Sequence, residues 1–316
     1  MHGYTSSFSS IIVVVLLIGF AMFLKALGFF KKEDGGLFSK IVTQVTLPAV
    51  IFVALSHSKG LEFDYLVVAF YILMSEIGLL FITWLIGVGL KLEKKTLGSL
   101  MLVSSFGSSS LLGYVIIGEI FSLNNSAITE AVVISELGVG VGLFTIGTMV
   151  AINFGQVAQI KQTPLDSLVI FLKSPIFISI VGGLGYSFFK LPLESIFAKE
   201  IFEVLSYIAK SNTFFVVLTV GVLLEFTNMR SIILLALIAV VLKLFVGPII
   251  VYALASSITL DVWQLKVAMI ESAMPSAMLS VVLAAKYGCD AKLASKLVFI
   301  TTLFSIISVT LIGGIL

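Results

Sequence analysis

The chain has 316 residues, of which 59% are hydrophobic and only 11% charged, with a mean hydropathy of +1.20 and a formal net charge of +2. Those proportions exclude a water-soluble domain and a disordered chain, and they describe an integral membrane protein. No basic stripe follows the chain as a nucleic-acid binder would need, and the single Cys289 excludes an internal disulfide or a cysteine metal cluster.

Apolar stretches of 20 or more residues recur at 7–30, 36–56, 65–90, 97–121, 127–151, 166–189, 201–226, 231–257, 265–288 and 291–315. Each, as a helix, crosses a hydrocarbon core of roughly 30 Å. The alternation of a membrane barrel is absent. The expected fold is all-α: a single multi-pass membrane domain, 1–316, of ten transmembrane helices. The opening "MHGYTSSFSS" has no positive segment, and the apolar run continues past Lys25 to Phe30 without a small-residue cleavage site. It reads as a retained span and not as a secretory signal. The connections at 152–165 and 190–200 are too short to fold alone. Loops after odd-numbered spans carry eleven Lys and Arg residues and those after even-numbered spans four. The positive-inside rule then puts odd loops in the cytoplasm and both termini outside a cytoplasmic membrane. Trp84, Trp263, Tyr65 and Tyr287 fall near span ends and read as interface anchors.

Setting residues 109–147 against 275–313, an offset of 166, aligns "VIIGEIFSLNNSAITEAVV" with "VVLAAKYGCDAKLASKLVF" and Gly147 with Gly313. The halves are 1–151, with spans 1–5, and 152–316, with spans 6–10. Five is odd, so the second half enters the membrane in the opposite sense, a 5+5 inverted repeat of the kind found in secondary transporters. Corresponding spans are interrupted. Span 4 runs "LVSSFGSSSLLGYVIIGEIF", with Gly107, Ser108, Ser109, Ser110 and Gly113 at its middle; span 9 carries "ESAMPSAMLS", with Met274, Pro275 and Ser276. Proline removes a backbone donor and clashes with the preceding turn. Backbone freed at that depth is tolerated only where protein, water or a ligand satisfies it. A lone interruption reads as a simple kink; the matched pair reads as two broken helices meeting at a binding site.

Ionisable side chains at bilayer depth are costly and mark function. Glu76 falls in span 3, Glu136 in span 5 and Glu271 just ahead of the break in span 9. These carboxylates, with the serines of span 4 and carbonyls freed near Pro275, form a candidate coupling-cation site. Na⁺ would take oxygen ligands from Glu271, Glu76 and Ser108, whereas H⁺ needs only a carboxyl. The alternative is that each Glu is hydrogen-bonded in the bundle or faces a hydrated vestibule. No cofactor other than such an ion is expected.

The substrate would meet the half-helix ends, where unpaired N–H groups and the helix dipole suit an anion. The one arginine, Arg230, is in a loop, so recognition falls to amides, hydroxyls or lysine. The candidates are Ser108, Ser109, Ser110, Gly113, Pro275 and Ser276 at the breaks, with Asn212 and Thr213 on span 7. Lys243 in span 8 and Lys210 in span 7 are either counter-ions or lysines snorkelling to an interface. His57 reads as a polar cap, and Glu119, Glu130 and Glu225 as interfacial. An enzyme is not expected: Asp34, Asp64, Asp166, Asp261 and Asp290 lie in loops or at span ends, His2 and His57 are badly placed to serve a serine, and no zinc or phosphate motif occurs. A channel would show a continuous polar stripe, whereas polar residues here concentrate at mid-depth.

"AMPSAMLSVVLAAKYGCDAKLASKLVFITTLFS" from Ala273, "TLPAVIF" from Thr46 and "KLFVGPII" from Lys243 resemble motifs of the auxin efflux carrier family, which includes plant PIN carriers and shorter bacterial permeases. Ser108 stands where that family usually has Asn, Val115 and Phe214 where it usually has Pro, and the long cytosolic loop of many plant members is missing. The resemblance implies a scaffold of spans 1, 2, 6 and 7 and a transport domain of spans 3–5 and 8–10, moving as an elevator. It also implies that helices 4 and 9 cross at the substrate site, that the cargo is a carboxylate-bearing organic anion, and that a homodimer can pair through scaffold helices. The expected function is secondary active transport of small organic anions, coupled to Na⁺ or H⁺. An uncoupled anion carrier, a channel or a ligand sensor is the alternative.

Overall fold

A computed structural model describes residues 13, 16–31, 33–57, 63–121, 125–156, 165–166, 169, 172–190, 196–223 and 232–315. Regular structure among them is helical, apart from one antiparallel bridge between Gly107 and Ser276. The helices are α1 (Leu16–Ala26), α2 (Asp34–Ser56), α3 (Phe63–Gly89), α4 (Lys94–Ser105), α5 (Ser109–Ile120), α6 (Ser126–Phe154), α7 (Pro175–Phe188), α8 (Ile196–Lys210), α9 (Asn212–Leu223), α10 (Ile233–Ala255), α11 (Val262–Ser272), α12 (Met278–Tyr287) and α13 (Ala291–Ile315). Helix occupies every one of the apolar stretches. Among the described residues, six helical runs are long and apolar enough to cross a membrane: α2, α3, α6, the combined run Ala198–Val222, α10 and Ala291–Ile312. Helices α1, α5, α7 and α12 are apolar but shorter.

Local chemistry sets several of the ends. Ser174 caps α7, its Oγ accepting from the Phe177 amide at 3.2 Å, with Pro175 in the first turn. Helix α11 opens on a capping box, in which the Gln264 side chain accepts from the Asp261 amide at 2.9 Å. Helix α12 stops at Gly288, whose φ of +80° is the left-handed turn that glycine adopts without strain.

The chain divides into two compact units. The first comprises Met1–Glu62, Tyr114–Val132 and Ile170–Glu225, and the second Phe63–Gly113, Val133–Val169 and Phe226–Leu316. In the first, α7 lies along α2, and close approach is possible because a Cβ on Gly183 would come within 2.9 Å of the Leu55 Cβ and 3.0 Å of the Phe52 carbonyl. Phe52, Tyr186 and Phe202 stack beside it, with His57 edge-on to Phe202 at 5.1 Å. In the second unit α4, α12 and α13 share a core that includes Leu100, Leu102, Phe106, Ala284, Tyr287 and Leu297.

Some expected surface residues lie inside. Tyr65 and Tyr287 are each only 2% exposed, so they pack within protein and do not act as lipid anchors, whereas Trp84 is 39% exposed. Glu130 is fully buried and Glu119 exposed. His2, Lys59, Lys161, Glu225 and Arg230 lie outside the described residues.

Candidate functional site

Both interrupted spans are broken. Helix α4 ends at Ser105, Phe106 is extended (φ −91°, ψ 133°), and a π turn, Ser109–Gly113, opens α5. Helix α11 ends at Ser272, Pro275 sits mid-break, and Ala277 (ψ 132°) leads into α12. The two breaks pair with each other. The Ser108 amide donates to the Pro275 carbonyl at 2.6 Å, and the Ala277 amide to the Phe106 carbonyl at 2.9 Å. Ser276 Oγ donates to the Val103 carbonyl at 2.6 Å, Thr301 Oγ1 donates to Ser276 Oγ at 2.9 Å, and the Ser276 amide donates to Thr301 Oγ1 at 3.3 Å. Unwinding therefore leaves few orphaned peptide groups, as a buried backbone requires. The same pairing commits the amides of Ser108, Ser276 and Ala277, so anion recognition shifts from freed backbone toward side chains.

A charged cluster adjoins the breaks. Lys243 sits in a π turn of α10, Leu242–Val246, and is 3% exposed; its Nζ donates at 2.8 Å to the carbonyl of Ser272, the last residue of α11. Glu76 of α3 and Glu271 of α11, both buried, are its electrostatic partners, and the charge of Glu136 acts on Glu271. The Ser109 hydroxyl faces Glu271 and the Gly107 amide faces Glu76, but neither meets hydrogen-bond geometry, so all four carboxylate oxygens are buried without one. Each charged group is seated against a glycine. A Cβ on Gly113 would stand 2.5 Å from Glu271 Oε1, one on Gly142 3.0 Å from Glu76 Oε2, and one on Gly107 3.1 Å from Lys243 Nζ.

Between them is a cavity of about 10 Å³ for the centre of a water-sized sphere, lined by Ser75, Glu76, Lys243, Glu271 and Ser272 among others. That is room for about one water or one small ion. Of the three residues expected to hold Na⁺, Glu76 and Glu271 line it and Ser108 does not. Glu136 is likewise absent from the lining; it lies in a further π turn, Ile134–Gly140. Among the described residues no three His, Cys, Asp or Glu side chains converge tightly enough to ligate a metal ion. Ser110 and Ser135 share a hydroxyl hydrogen bond of 2.8 Å.

The first unit has its own cavity, about 450 Å³. This is the size of a small-molecule site. Its wall is largely aliphatic, with Val50, Val53, Ala54, Val115, Ile128 and Ala209, and its polar residues include His57, Tyr114, Lys210, Asn212 and Thr213. His57 Nδ1 donates to the Val53 carbonyl at 2.8 Å, and the Lys210 ammonium lies 5.7 Å from the centre of the Tyr207 ring. Asn212 and Thr213 thus line a cavity of the first unit, while the remaining candidates belong to the second.

The model of a family described as "Membrane transport protein" matches residues 6–313. The chain belongs to this family. This membrane transport protein is similar, at 29% identity over 311 residues (97% of each chain), to an uncharacterized transporter of Methanocaldococcus jannaschii. It is also similar, at 24% identity over 313 residues (98% of this chain and 97% of the relative), to an uncharacterized transporter of Methanothermobacter thermautotrophicus. The resemblance to auxin efflux carriers is borne out, and the transporter is a multi-pass membrane protein, not an enzyme. Two of the motifs that carry the resemblance have a shared geometry. "TLPAVIF" places Pro48 two residues after the π turn Val42–Thr46, and "KLFVGPII" places Pro248 two residues after Leu242–Val246. A proline ring presses on the carbonyl four residues earlier, here residues 44 and 244. Widening that turn to π spacing relieves the pressure without ending the helix, and such turns recur at functional sites. Sequence periodicity carries no mark of these turns. From sequence alone Lys243, like Lys210, reads as either a counter-ion or a snorkelling lysine, although its place in the most apolar span, of mean hydropathy 2.8, is the available signal.

Proposed function

We propose that this transporter is a secondary carrier of small organic anions, working by alternating access as its two units move relative to each other and coupled to a cation. The observation that carries the reading is the pairing of two broken helices beside a buried ammonium and two buried carboxylates. A static pore needs no such cluster, whereas a carrier needs a site that changes charge when it loads. Contacts at nearly one offset support the 5+5 inverted repeat: Thr46 meets Asn212 (166 apart), Ser108 meets Pro275 (167 apart) and Gly107 meets Ser276 (169 apart). Glu76 and Lys243, 167 apart, are a charged pair at the same offset. Residues related by a two-fold axis touch only where they lie on it.

The coupling ion favoured is H⁺. Lys243 already occupies the Ser272 carbonyl that Na⁺ would want as a ligand, and the space beside it admits about one water. The ten apolar stretches support ten spans, and the distribution of loop charges supports placing both termini outside. The test is a thermal-shift screen of the purified chain against organic acids, in Na⁺ and in K⁺, at two pH values. A ligand that binds only the folded state raises apparent stability. A stabilising carboxylate whose effect changes with pH and not with Na⁺ is the expected result. A Na⁺-dependent shift replaces the proton with sodium, and no shift from any acid removes the organic-anion reading.

A further inference from the structure

The cavity of the first unit contains a side-chain amide whose two ends are not equivalent. Asn212 opens α9, is 3% exposed, and lines the cavity. Its Oδ1 accepts from Thr46 Oγ1 at 2.7 Å, across to the π turn of α2. That bond is buried and occupies the acceptor end of the carboxamide. The donor end, Nδ2, has no hydrogen-bond partner among the described residues. An amide NH₂ carries two donors, and this one, unpaired but not sealed from solvent, opens onto the cavity. The other polar groups of the cavity include the Lys210 ammonium and the Thr213 side chain, and among the described residues no carboxylate lines it. The lining therefore offers donors, set in an aliphatic wall.

We propose that Thr46 is a positioning residue: its hydroxyl holds the Asn212 carboxamide in one orientation, so that the NH₂ group, with Lys210, receives the carboxylate of an organic anion. This rests on the organic-anion reading above and goes further, by naming the residues that grip the anion and the one that aims them. Without the Thr46 hydroxyl the amide is free to turn and present its carbonyl oxygen to the anion, exchanging attraction for repulsion. The two orientations have almost the same shape, so only the hydrogen bond selects between them. Thr46 itself touches no cargo.

The test uses the purified full chain and measures the rise in melting temperature against increasing benzoate, with succinate in parallel and benzamide as the neutral control. Thr46→Val keeps the shape and removes the hydroxyl, Thr46→Ser restores it, and Asn212→Asp keeps the acceptor for Thr46 while replacing the donor with a negative oxygen. The half-saturating carboxylate concentration should rise about tenfold or more in Thr46→Val, the scale of one lost hydrogen bond to a charged group. It should return to the parent value in Thr46→Ser, and the response should vanish in Asn212→Asp. A Thr46→Val chain that melts lower but half-saturates with the parent shows a purely structural role and overturns the proposal. Asn212→Asp retaining the parent response overturns it independently, even where Thr46→Val does not fold. A parent chain that ignores both acids removes the organic-anion reading itself, a different failure from either of these.

Discussion

Replacing Gly113 by alanine perturbs the cluster at one atom. The added Cβ would lie 2.5 Å from Glu271 Oε1, 2.7 Å from Oε2 and 2.8 Å from Cδ, so it meets the whole carboxylate and not just its edge. Comfortable contact needs about 3.5 Å, so the group must retreat by roughly 1 Å. Its retreat is confined, because Glu271 is 1% exposed and the adjoining cavity admits about one water. Overpacking of this kind costs about 1–3 kcal/mol, a fall in melting temperature of roughly 2–10 °C for a chain of this size. A displacement of about 1 Å at a reacting group is worth up to about a hundredfold in rate, so gradient-driven uptake should fall by about tenfold to a hundredfold. The assay is uptake of labelled carboxylate into liposomes, alongside a melting curve. Gly89→Ala is the control, since its Cβ would meet nothing within 4 Å. Gly113→Ala with parental uptake and parental melting would show that the carboxylate is not seated against this glycine.

Lys243→Met should destabilise the chain by about 3–5 kcal/mol, because it strands the buried carboxylates of Glu76 and Glu271. Adding Glu76→Gln should recover part of that loss, and a double variant that melts no higher than the single one would contradict the pairing. Gly183→Ala should cost about 2 kcal/mol, since the Leu55 Cβ and the Phe52 backbone cannot swing away. Gly185→Ala, with nothing within 4 Å, should melt like the parent. Burial pushes the Cys289 thiol, in the turn between α12 and α13, up to about 11. The reactive thiolate is therefore scarce below that pH. Maleimide labelling at pH 8 should be about a hundredfold slower in the folded chain than in detergent-denatured chain, and should quicken as pH rises toward 11. Equal labelling rates would place the thiol at the surface.

The broken helices were legible because proline and clustered glycine and serine interrupt apolar runs at matched positions, and a break has local causes. Glu76 and Glu271 were legible because a carboxylate in an apolar run has no cheap explanation. What the breaks do with their backbone was not legible: Ser108 pairs with Pro275 and Ala277 with Phe106, across 167 and 171 residues, and no local pattern encodes a partner that distant. The glycine seats were hidden for the same reason, as Gly142 looks like any small residue until Glu76 is placed against it. Tyr65 and Tyr287 read as lipid anchors and lie inside because nearness to a helix end says nothing about which face meets a neighbour. Thr46 gave no signal at all, being a hydroxyl two residues before a proline.

The central claim is that the buried cluster around Glu271 changes its charge as the transporter carries an anion across. Uptake of labelled carboxylate into liposomes under an imposed pH gradient, compared between the parent chain and Glu271→Gln, measures this most directly. Saturable uptake that follows the gradient in the parent and ignores it in Glu271→Gln is the predicted result. Uptake in Glu271→Gln that saturates and follows the gradient as the parent does would contradict the account.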